Sequence, residues 1–336
     1  IKHSFLKKHL YPYYTMIDYT QYIWRIGLFF GLAYAYNQFH TYTDETEESK
    51  TYRIVKQYLI KQSSIATSKL PILWIYMEYP QNARHWKDFY SRNTTDLNQP
   101  YLYLTLKTII DTCSNTFNVC LMDDSTLFNI IPGWNIHIQE AAEPIQSKLR
   151  DLAKAYILKY YGGMFIPSSF LCLKNLGELY YSSTCGHRMF VGELQNYNSS
   201  SATNSICANK SFIGAHKGTP LLDEYIHYLQ ELLSTDYTSE SIFKGNADLW
   251  LQDKVDHNQI HRIPAKHLGA KDTKGKDVKI DDLIGNSYID FDPFCVGIYF
   301  PQNEILERIS YQWFARLNAK QVLESDTVMG KLLLTK

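Results

Sequence analysis

From about position 70 onward, short apolar runs alternate with longer stretches in which apolar side chains recur every three or four residues. Continuous apolar runs predict buried strands, and the wider spacing predicts amphipathic helices. Strands are predicted at 70–77, 117–122 and 164–166, and helices at 101–113, 141–160 and 221–233. Because strands alternate with helices, we expect an α/β fold with a mostly parallel sheet flanked by helices. Ligands are expected beyond the carboxyl ends of its strands.

The N-terminal part of the chain has a different pattern. A basic tail at 1–16 precedes an aromatic-rich apolar segment at 17–39, whose charge-free part, 26–36, is eleven residues long. A bilayer needs about twenty apolar residues, but aromatic side chains and Arg25 near one end suit the membrane interface. We predict a transmembrane helix at 17–39, and a buried helix packed on the globular domain is the alternative.

A spanning helix would leave the basic tail on the cytoplasmic or matrix side of the membrane. A stem helix or linker at 40–68 would connect it to a globular domain at 69–336. This organisation predicts a single-pass membrane protein that contacts the lipid bilayer through its N-terminal helix. The mitochondrial inner membrane and the Golgi or ER membrane both fit this topology.

Composition and charge narrow the class of protein. The chain has 336 residues, of which 45% are hydrophobic and 20% are charged, as is typical of a globular protein. Lys+Arg and Asp+Glu are equal at 34 each. Since no basic field exists to attract phosphates, we expect no nucleic-acid partner.

The six cysteines are scattered, and none belongs to a CxxC pair, so we expect no zinc site. Cys120 and Cys172 lie in apolar runs and are predicted to be buried thiols. A disulfide between Cys185 and Cys207, around the polar loop that separates them, is compatible with the sequence but not required by it.

The most informative segment is 148–176, a predicted helix followed by Gly162, Gly163 and an apolar strand. Pro167-Ser168-Ser169 follows at the end of that strand. Two further blocks accompany it, the strand at 72–75 with the later Met122-Asp123-Asp124, and the segment 209–222. In order and spacing these blocks resemble the family 32-like glycosyltransferases, the family with a DXD-containing sugar-binding region and a GT-A fold. The resemblance covers roughly residues 70–235.

The resemblance implies a site for a sugar nucleotide in which an Asp-x-Asp motif holds Mn²⁺ or Mg²⁺ on the diphosphate. Here Pro167 occupies the position of the first aspartate and Ser169 that of the second, so the motif is degenerate. Asp151 would lie near the base and ribose. Without the carboxylates we expect no metal, no cofactor and no catalytic residue. The residues that would form the vestigial nucleotide-sugar pocket are Trp74, Asp123, Asp124, Asp151, Gly162, Gly163 and Lys217.

Other acidic and basic residues are candidate substitutes for the missing carboxylates. Asp290-Phe291-Asp292 is a literal D-x-D, but it is better explained as an acidic turn before a strand. Asp281-Asp282 is expected to start a helix, and Asp123-Asp124 to cap a loop or face the nucleotide rather than bind metal. A metal-free enzyme could place cations on the diphosphate. The candidates are Arg150, Lys210 and Lys217, with His187 and His216 as candidate bases.

Three classes of function are compatible with these patterns. The leading hypothesis is a membrane-anchored, catalytically degenerate glycosyltransferase-like protein that acts as an accessory subunit of a membrane complex, such as a respiratory-type assembly. Its partners would then be other membrane-complex subunits. The alternative is an active glycosyltransferase of the secretory pathway that uses a sugar nucleotide with Mn²⁺ or Mg²⁺. A lectin-like binder without turnover is a third class.

Overall fold

The computed structural model describes residues 69–77, 99–196, 205–235 and 245–336. The basic tail predicted at 1–16, the transmembrane helix predicted at 17–39 and the stem predicted at 40–68 lie outside these residues. Among the helices that are described, none has the length and apolar character needed to cross a bilayer.

The main sheet has six strands in the order β2-β1-β3-β6-β5-β7. Three of its five pairings are parallel, namely β1 with β2, β1 with β3, and β5 with β7. Strand β6 runs antiparallel to both β3 and β5, and β4 pairs with β8 in a separate two-stranded sheet. The strands are β1 (Ile72–Tyr76), β2 (Asn118–Met122), β3 (Gly163–Pro167), β4 (Phe170–Cys172), β5 (Met189–Asn196), β6 (Ser205–Ala215), β7 (Ile260–Ile263) and β8 (Gly297–Tyr299).

Helices flank the sheet, which confirms the predicted α/β class with a mostly parallel sheet. Two 3₁₀ turns, Ile138–Glu140 and Ala265–Leu268, lie between the longer elements. The helices are α1 (Tyr101–Cys113), α2 (Asp124–Ile130), α3 (Ile145–Tyr161), α4 (Gly177–Ser183), α5 (Leu221–Ser234), α6 (Asn246–Asp256), α7 (Ile280–Ile284), α8 (Gln302–Glu307), α9 (Gln312–Ala315), α10 (Ala319–Glu324) and α11 (Val328–Leu334).

The predicted helix at 141–160 begins later than expected. Helix α3 starts at Ile145, because Pro144 occupies its N-cap position. Proline has no N–H to donate and is tolerated at a helix start but not inside a helix. The predicted helices at 101–113 and 221–233, in contrast, agree with α1 and α5 to within one residue.

Side chains on the two faces of the sheet belong to two separate hydrophobic cores. In β1, Leu73 and Ile75 join α1 and the C-terminal helices on one face. Ile72 and Trp74 join α3, α5 and α6 on the other. Because side chains alternate across a strand, a run that is apolar at every position is buried on both faces.

The double glycine has a packing explanation. Gly162 ends α3 with φ +71°, and its N–H donates to the Leu158 carbonyl oxygen at 2.8 Å. Gly163 has φ +94°, and a Cβ there would lie 2.1 Å from the carbonyl oxygen of Ile72. Only glycine fits these two positions, because both have a positive φ and a Cβ would collide with the backbone of Lys217 at one and of Ile72 at the other.

Two acidic pairs have structural roles, as expected. Asp281 and Asp282 lie in the first turn of α7, where an Asp282 carboxylate oxygen accepts from the backbone N–H of Lys279 at 2.8 Å. In the turn before β8, an Asp292 carboxylate oxygen accepts from the backbone N–H of Phe294 at 2.8 Å, and Asp290 accepts from the hydroxyl of Thr273 at 2.7 Å.

The cysteines are all free thiols. Cys120 and Cys172 are buried, as predicted. The disulfide that was considered between Cys185 and Cys207 is not formed, since Cys185 is exposed and Cys207 lies inside the fold. Instead, the Cys172 sulfur lies 3.7 Å from that of Cys113, at the meeting point of β4 and α1.

Candidate functional site

The carboxyl ends of the three neighbouring parallel strands lie side by side. Tyr76 of β1 stands between Met122 of β2 and Pro167 of β3 in the strand register. This carboxyl edge is where ligands of parallel sheets usually bind, and Pro167, Ser168 and Ser169 lie at it.

The turn after β3 is covered by other parts of the chain. The Ser168 hydroxyl donates to the side-chain oxygen of Gln302 in α8 at 2.9 Å. The Thr105 hydroxyl of α1 donates to the Ser168 carbonyl oxygen at 2.7 Å. Ser168 and Ser169 are both buried, and the Ser169 hydroxyl has no hydrogen-bond partner. Both serines therefore serve as packing residues between α1, α8 and the sheet.

This donor set does not fit a divalent cation. Mg²⁺ and Mn²⁺ prefer carboxylate and other oxygen ligands in an open coordination shell. Pro167 has no side-chain donor, and the Ser168 hydroxyl is engaged with Gln302. In the part of the chain that the structure describes, no three His, Cys, Asp or Glu side chains are grouped to hold a metal ion.

Asp123 caps a helix. It precedes α2, and one of its carboxylate oxygens accepts from the Thr126 backbone N–H at 2.8 Å and from the hydroxyls of Ser125 and Thr126 at 2.7 Å each. Partial burial would raise the pKa of Asp123, but these hydrogen bonds outweigh burial and hold the pKa below its ordinary value. Its side chain is therefore committed to the helix start.

Asp124 forms the first of two ion-pair groups at the carboxyl edge. Arg150 of α3 binds it with two hydrogen bonds, at 3.0 and 2.9 Å, and the Tyr76 hydroxyl donates to it at 2.7 Å. The guanidinium also lies 5.6 Å from the centre of the Tyr76 ring. A bidentate pair of this kind fixes both side chains.

Asp151 forms the second group. The ammonium of Lys210, in the β5–β6 hairpin, lies 2.5 Å from one of its carboxylate oxygens, and that of Lys154 lies 4.0 Å from the other. Lys154 also lies 4.9 Å from the centre of the Tyr76 ring, which joins the two groups. Burial, followed by the nearby Asp151 charge, raises the pKa of Tyr225 well above its ordinary value. Tyr225 lies beside the same pair and stays protonated.

The other predicted pocket residues lie at the opposite edge of the sheet. Gly162 and Gly163 stand at the amino end of β3, next to Lys217, whose backbone nitrogen would lie 2.8 Å from a Cβ on Gly162. Trp74 is fully buried, and its indole N–H donates to the Gly162 carbonyl oxygen at 2.8 Å. The structure therefore does not bring Lys217 together with Asp123, Asp124 and Asp151.

The candidate bases also belong to this amino edge. His187 and His216 are exposed, and their ring centres are 4.5 Å apart. His216 and Lys217 border a cavity of about 430 Å³ at the amino ends of β1 and β3.

Sequence reasoning missed the residues that complete the carboxyl edge. Tyr76 and Lys154 contact both ion-pair groups, and Thr105 and Gln302 cover the serine turn. Tyr76 could have been found as the last residue of a predicted parallel strand. Gln302 carries no such signal, because it is 134 positions away from Ser168 in the chain.

No protein-family model matches this chain, and neither does any curated protein. The solved structures that are similar to it include three glycosyltransferases. Mouse xyloside xylosyltransferase 1 in its apo form shares 10% identity with a TM-score of 0.40, over 70% of this chain and 98% of that one. The apo-form glycosyltransferase GlyE of Streptococcus pneumoniae shares 9% identity with a TM-score of 0.38, over 79% of this chain and 63% of that one.

The PaToxG glycosyltransferase shares 12% identity with a TM-score of 0.30, over 62% of this chain and 80% of that one. Identities and TM-scores of this size assign the chain neither to a family nor to an activity. The chemistry of its own residues has to carry the functional conclusion.

Proposed function

We propose that this chain is a non-catalytic, glycosyltransferase-like protein of the GT-A type, related to family 32, that serves as a structural or accessory subunit of a membrane complex. One observation carries the proposal. At the end of β3, where the family has Asp-x-Asp, the chain has Pro167, followed by a turn of two serines that are buried in packing.

The chemistry of sugar transfer explains why this turn matters. A departing nucleoside diphosphate develops negative charge. A bound divalent cation neutralises this charge and stabilises the transition state by several kcal/mol. Each ~1.4 kcal/mol is worth a factor of about ten in rate, so a site without the cation would be slower by about a thousandfold or more. Neutral hydroxyls engaged in packing do not replace two carboxylates.

The ion pairs at the carboxyl edge support the same conclusion. Asp124 is neutralised by Arg150, and Asp151 by Lys210. The carboxylates that could have been recruited to a metal are thus already paired with cations, and separating a partly buried pair costs free energy.

An accessory role is supported by the exposed apolar surface. Several large apolar side chains of the described residues are mostly exposed, including Tyr288 and Ile309 at 88% each and Phe294 at 70%. Aromatic side chains of this type are enriched where proteins contact partners. The membrane location, in the mitochondrial inner membrane or the secretory pathway, belongs to this proposal through the apolar segment at 17–39.

Titration of the purified full-length chain with Mn²⁺ and uridine or guanosine diphosphate sugars tests the absence of catalysis. We expect no metal-dependent binding and no release of nucleoside diphosphate above the rate without protein. Micromolar metal-dependent binding with turnover would contradict the proposal. Binding without turnover would instead define a lectin-like protein.

The accessory role is tested by affinity purification of the tagged chain from membranes in a mild detergent. We expect a large complex that contains the chain in stoichiometric amounts. A monomer or dimer in secretory membranes, with no co-purifying subunits, would refute the accessory role even if the protein has no transferase activity.

A metal-independent transferase is the second candidate, and the convergence of Arg150, Lys154 and Lys210 at the carboxyl edge favours it. Such an enzyme would place these cations on the diphosphate. It would show turnover in the presence of a metal chelator, and Lys210→Gln would lower that turnover at least tenfold. Lys320→Gln, at an exposed site in α10, is the matched control.

A further inference from the structure

A cavity at the amino edge of the sheet has no role in the function proposed above. Its volume is about 430 Å³, and it lies where β1 and β3 begin and β6 ends. Small-molecule sites usually have volumes of roughly 300–1,000 Å³. We propose that this cavity binds a small phosphorylated ring compound, such as a sugar phosphate or a nucleoside monophosphate.

The floor of the cavity is formed by main-chain atoms of two glycines. Gly162 and Gly163 line it without side chains, because a Cβ at either would meet Lys217 or Ile72. The indole of Trp74 holds the Gly162 carbonyl from beneath. A ligand can therefore approach the main chain closely, and the floor is held in one conformation.

Tyrosine rings form the walls. The Tyr161 hydroxyl donates to the Ile130 carbonyl oxygen at 2.7 Å, and its ring contacts Trp74 edge-on. Tyr180 is buried, and its ring packs against Phe117 and Tyr181. Burial raises the pKa of both Tyr161 and Tyr180, so both stay neutral. Rigid, neutral aromatic walls suit a flat or ring-shaped apolar face.

Tyr181 differs from these two walls, because 56% of its surface is exposed. It stands at the rim, edge-on to the Tyr180 ring with centres 5.5 Å apart. The Tyr181 ring can therefore rotate onto a bound ligand, while the rings of Tyr161 and Tyr180 stay fixed.

The basic side chains around the cavity favour a negatively charged ligand. Lys69, Lys217 and His216 line the cavity, and none of the acidic residues that the structure describes does. Within the described ranges, the ammonium groups of Lys69 and Lys217 form no ion pair. Lysine is a common phosphate binder, and two cations without carboxylate partners attract an anion more strongly than paired ones. Together with the tyrosine walls, they favour a phosphate that is attached to a ring.

This site is separate from the one discussed for sugar transfer. Lys217 and the glycines lie at the amino ends of the parallel strands, whereas Asp151 and Lys210 lie beyond the carboxyl ends. Phosphate binding here requires neither a metal nor the Asp-x-Asp position. The inference holds whether or not the chain is a transferase.

The test is calorimetric titration of the full-length chain with glucose 6-phosphate, uridine monophosphate and inorganic phosphate, all without divalent metal. We expect at least one of the two ring compounds to bind about tenfold more tightly than inorganic phosphate. Lys217→Gln should weaken that binding about tenfold, the loss expected for one charge-assisted hydrogen bond. Tyr181→Ala should weaken it about fivefold through the lost ring contact.

The controls locate the ligand. Lys320→Gln, at an exposed site in α10, should leave binding unchanged, and thermal melts should show that each variant is folded. If binding falls in Lys210→Gln but not in Lys217→Gln, the ligand occupies the carboxyl edge and the inference is wrong. If neither ring compound binds more tightly than inorganic phosphate, the inference is also wrong.

Discussion

The cationic side chains at the carboxyl edge of the central sheet are paired with carboxylates, whereas those at the amino edge line a cavity. At the carboxyl edge, Arg150 is paired with Asp124 and Lys210 with Asp151. At the amino edge, Lys69 and Lys217 line an open cavity, and no acidic residue of the described ranges lines it. Among the described residues, the carboxyl edge, where ligands of parallel sheets usually bind, is closed by its own contacts, whereas the amino edge is open and cationic.

Residues that packing requires have to be distinguished from residues that a reaction would require. Gly162 and Gly163 look like part of a catalytic signature, yet each is required by packing. Ser168 and Ser169, which follow Pro167, are buried in packing as well. Glycines in such a sequence block can therefore be required by packing alone, and they do not by themselves indicate a catalytic site.

The largest expected effect concerns the amino edge. Gly163→Ala should destabilise the protein by more than about 3 kcal/mol, because its Cβ would overlap the Ile72 carbonyl at a positive φ. Gly275→Ala is the matched control. Gly275 also has a positive φ, +80°, but nothing lies within 4 Å of its added Cβ, so we expect a cost of about 1 kcal/mol. Urea unfolding measures both, and equal costs would contradict the packing explanation of the double glycine.

The next effect concerns the ion pairs of the carboxyl edge. Asp124→Asn should cost about 2 kcal/mol, since it leaves the partly buried Arg150 without its bidentate partner. Glu324→Gln breaks the exposed pair with Lys320 and should cost no more than about 0.5 kcal/mol. Denaturant titrations measure the loss of unfolding free energy in both variants. Equal losses would show that the Asp124–Arg150 pair contributes no more to stability than an exposed ion pair.

The serine turn should respond with opposite signs at its two positions. Ser168→Ala removes the hydrogen bond to Gln302 and should destabilise by about 1 kcal/mol. Ser169→Ala removes a buried hydroxyl that has no partner and should be neutral or stabilise by up to about 1 kcal/mol. Thermal unfolding of the two variants decides this. A loss at Ser169 as large as that at Ser168 would mean that its hydroxyl has a role beyond packing.

The smallest effect is a pH dependence at Asp123. Its folded-state pKa is lowered relative to the ordinary value of 3.8, so its charge stabilises the fold above that value. This contribution is lost as the pH falls through the folded-state pKa. Asp123→Asn should therefore be less stable than wild type at pH 7, and the difference should shrink as the pH falls below 3.8 and disappear below the folded-state pKa. A difference that persists at low pH would assign the effect to altered cap geometry.

The sequence predicts the layered fold well, because apolar runs and helical spacing are local signals. Helix α1 agrees with its prediction at both ends, and helix α5 differs only at its last residue. The start of α3 was misplaced because the helical pattern continued N-terminally through Pro144.

The candidate site was harder to predict, because it depends on strand direction and long-range packing. Lys210 and Lys217 belong to one sequence block, but β6 runs antiparallel to β3 and carries them to opposite edges of the sheet. The burial of Ser168 depends on Gln302, far along the chain. Neither fact leaves a local signal in the sequence.

Anomalous diffraction from crystals grown with Mn²⁺ and a uridine diphosphate sugar would test most directly whether the turn after β3 can hold a cation. We expect no manganese peak beside Pro167, Ser168 and Ser169, whatever the occupancy of the amino-edge cavity. A manganese ion at this turn, coordinated by carboxylates and by the diphosphate, would contradict the proposal that this chain lacks a metal-dependent transferase site.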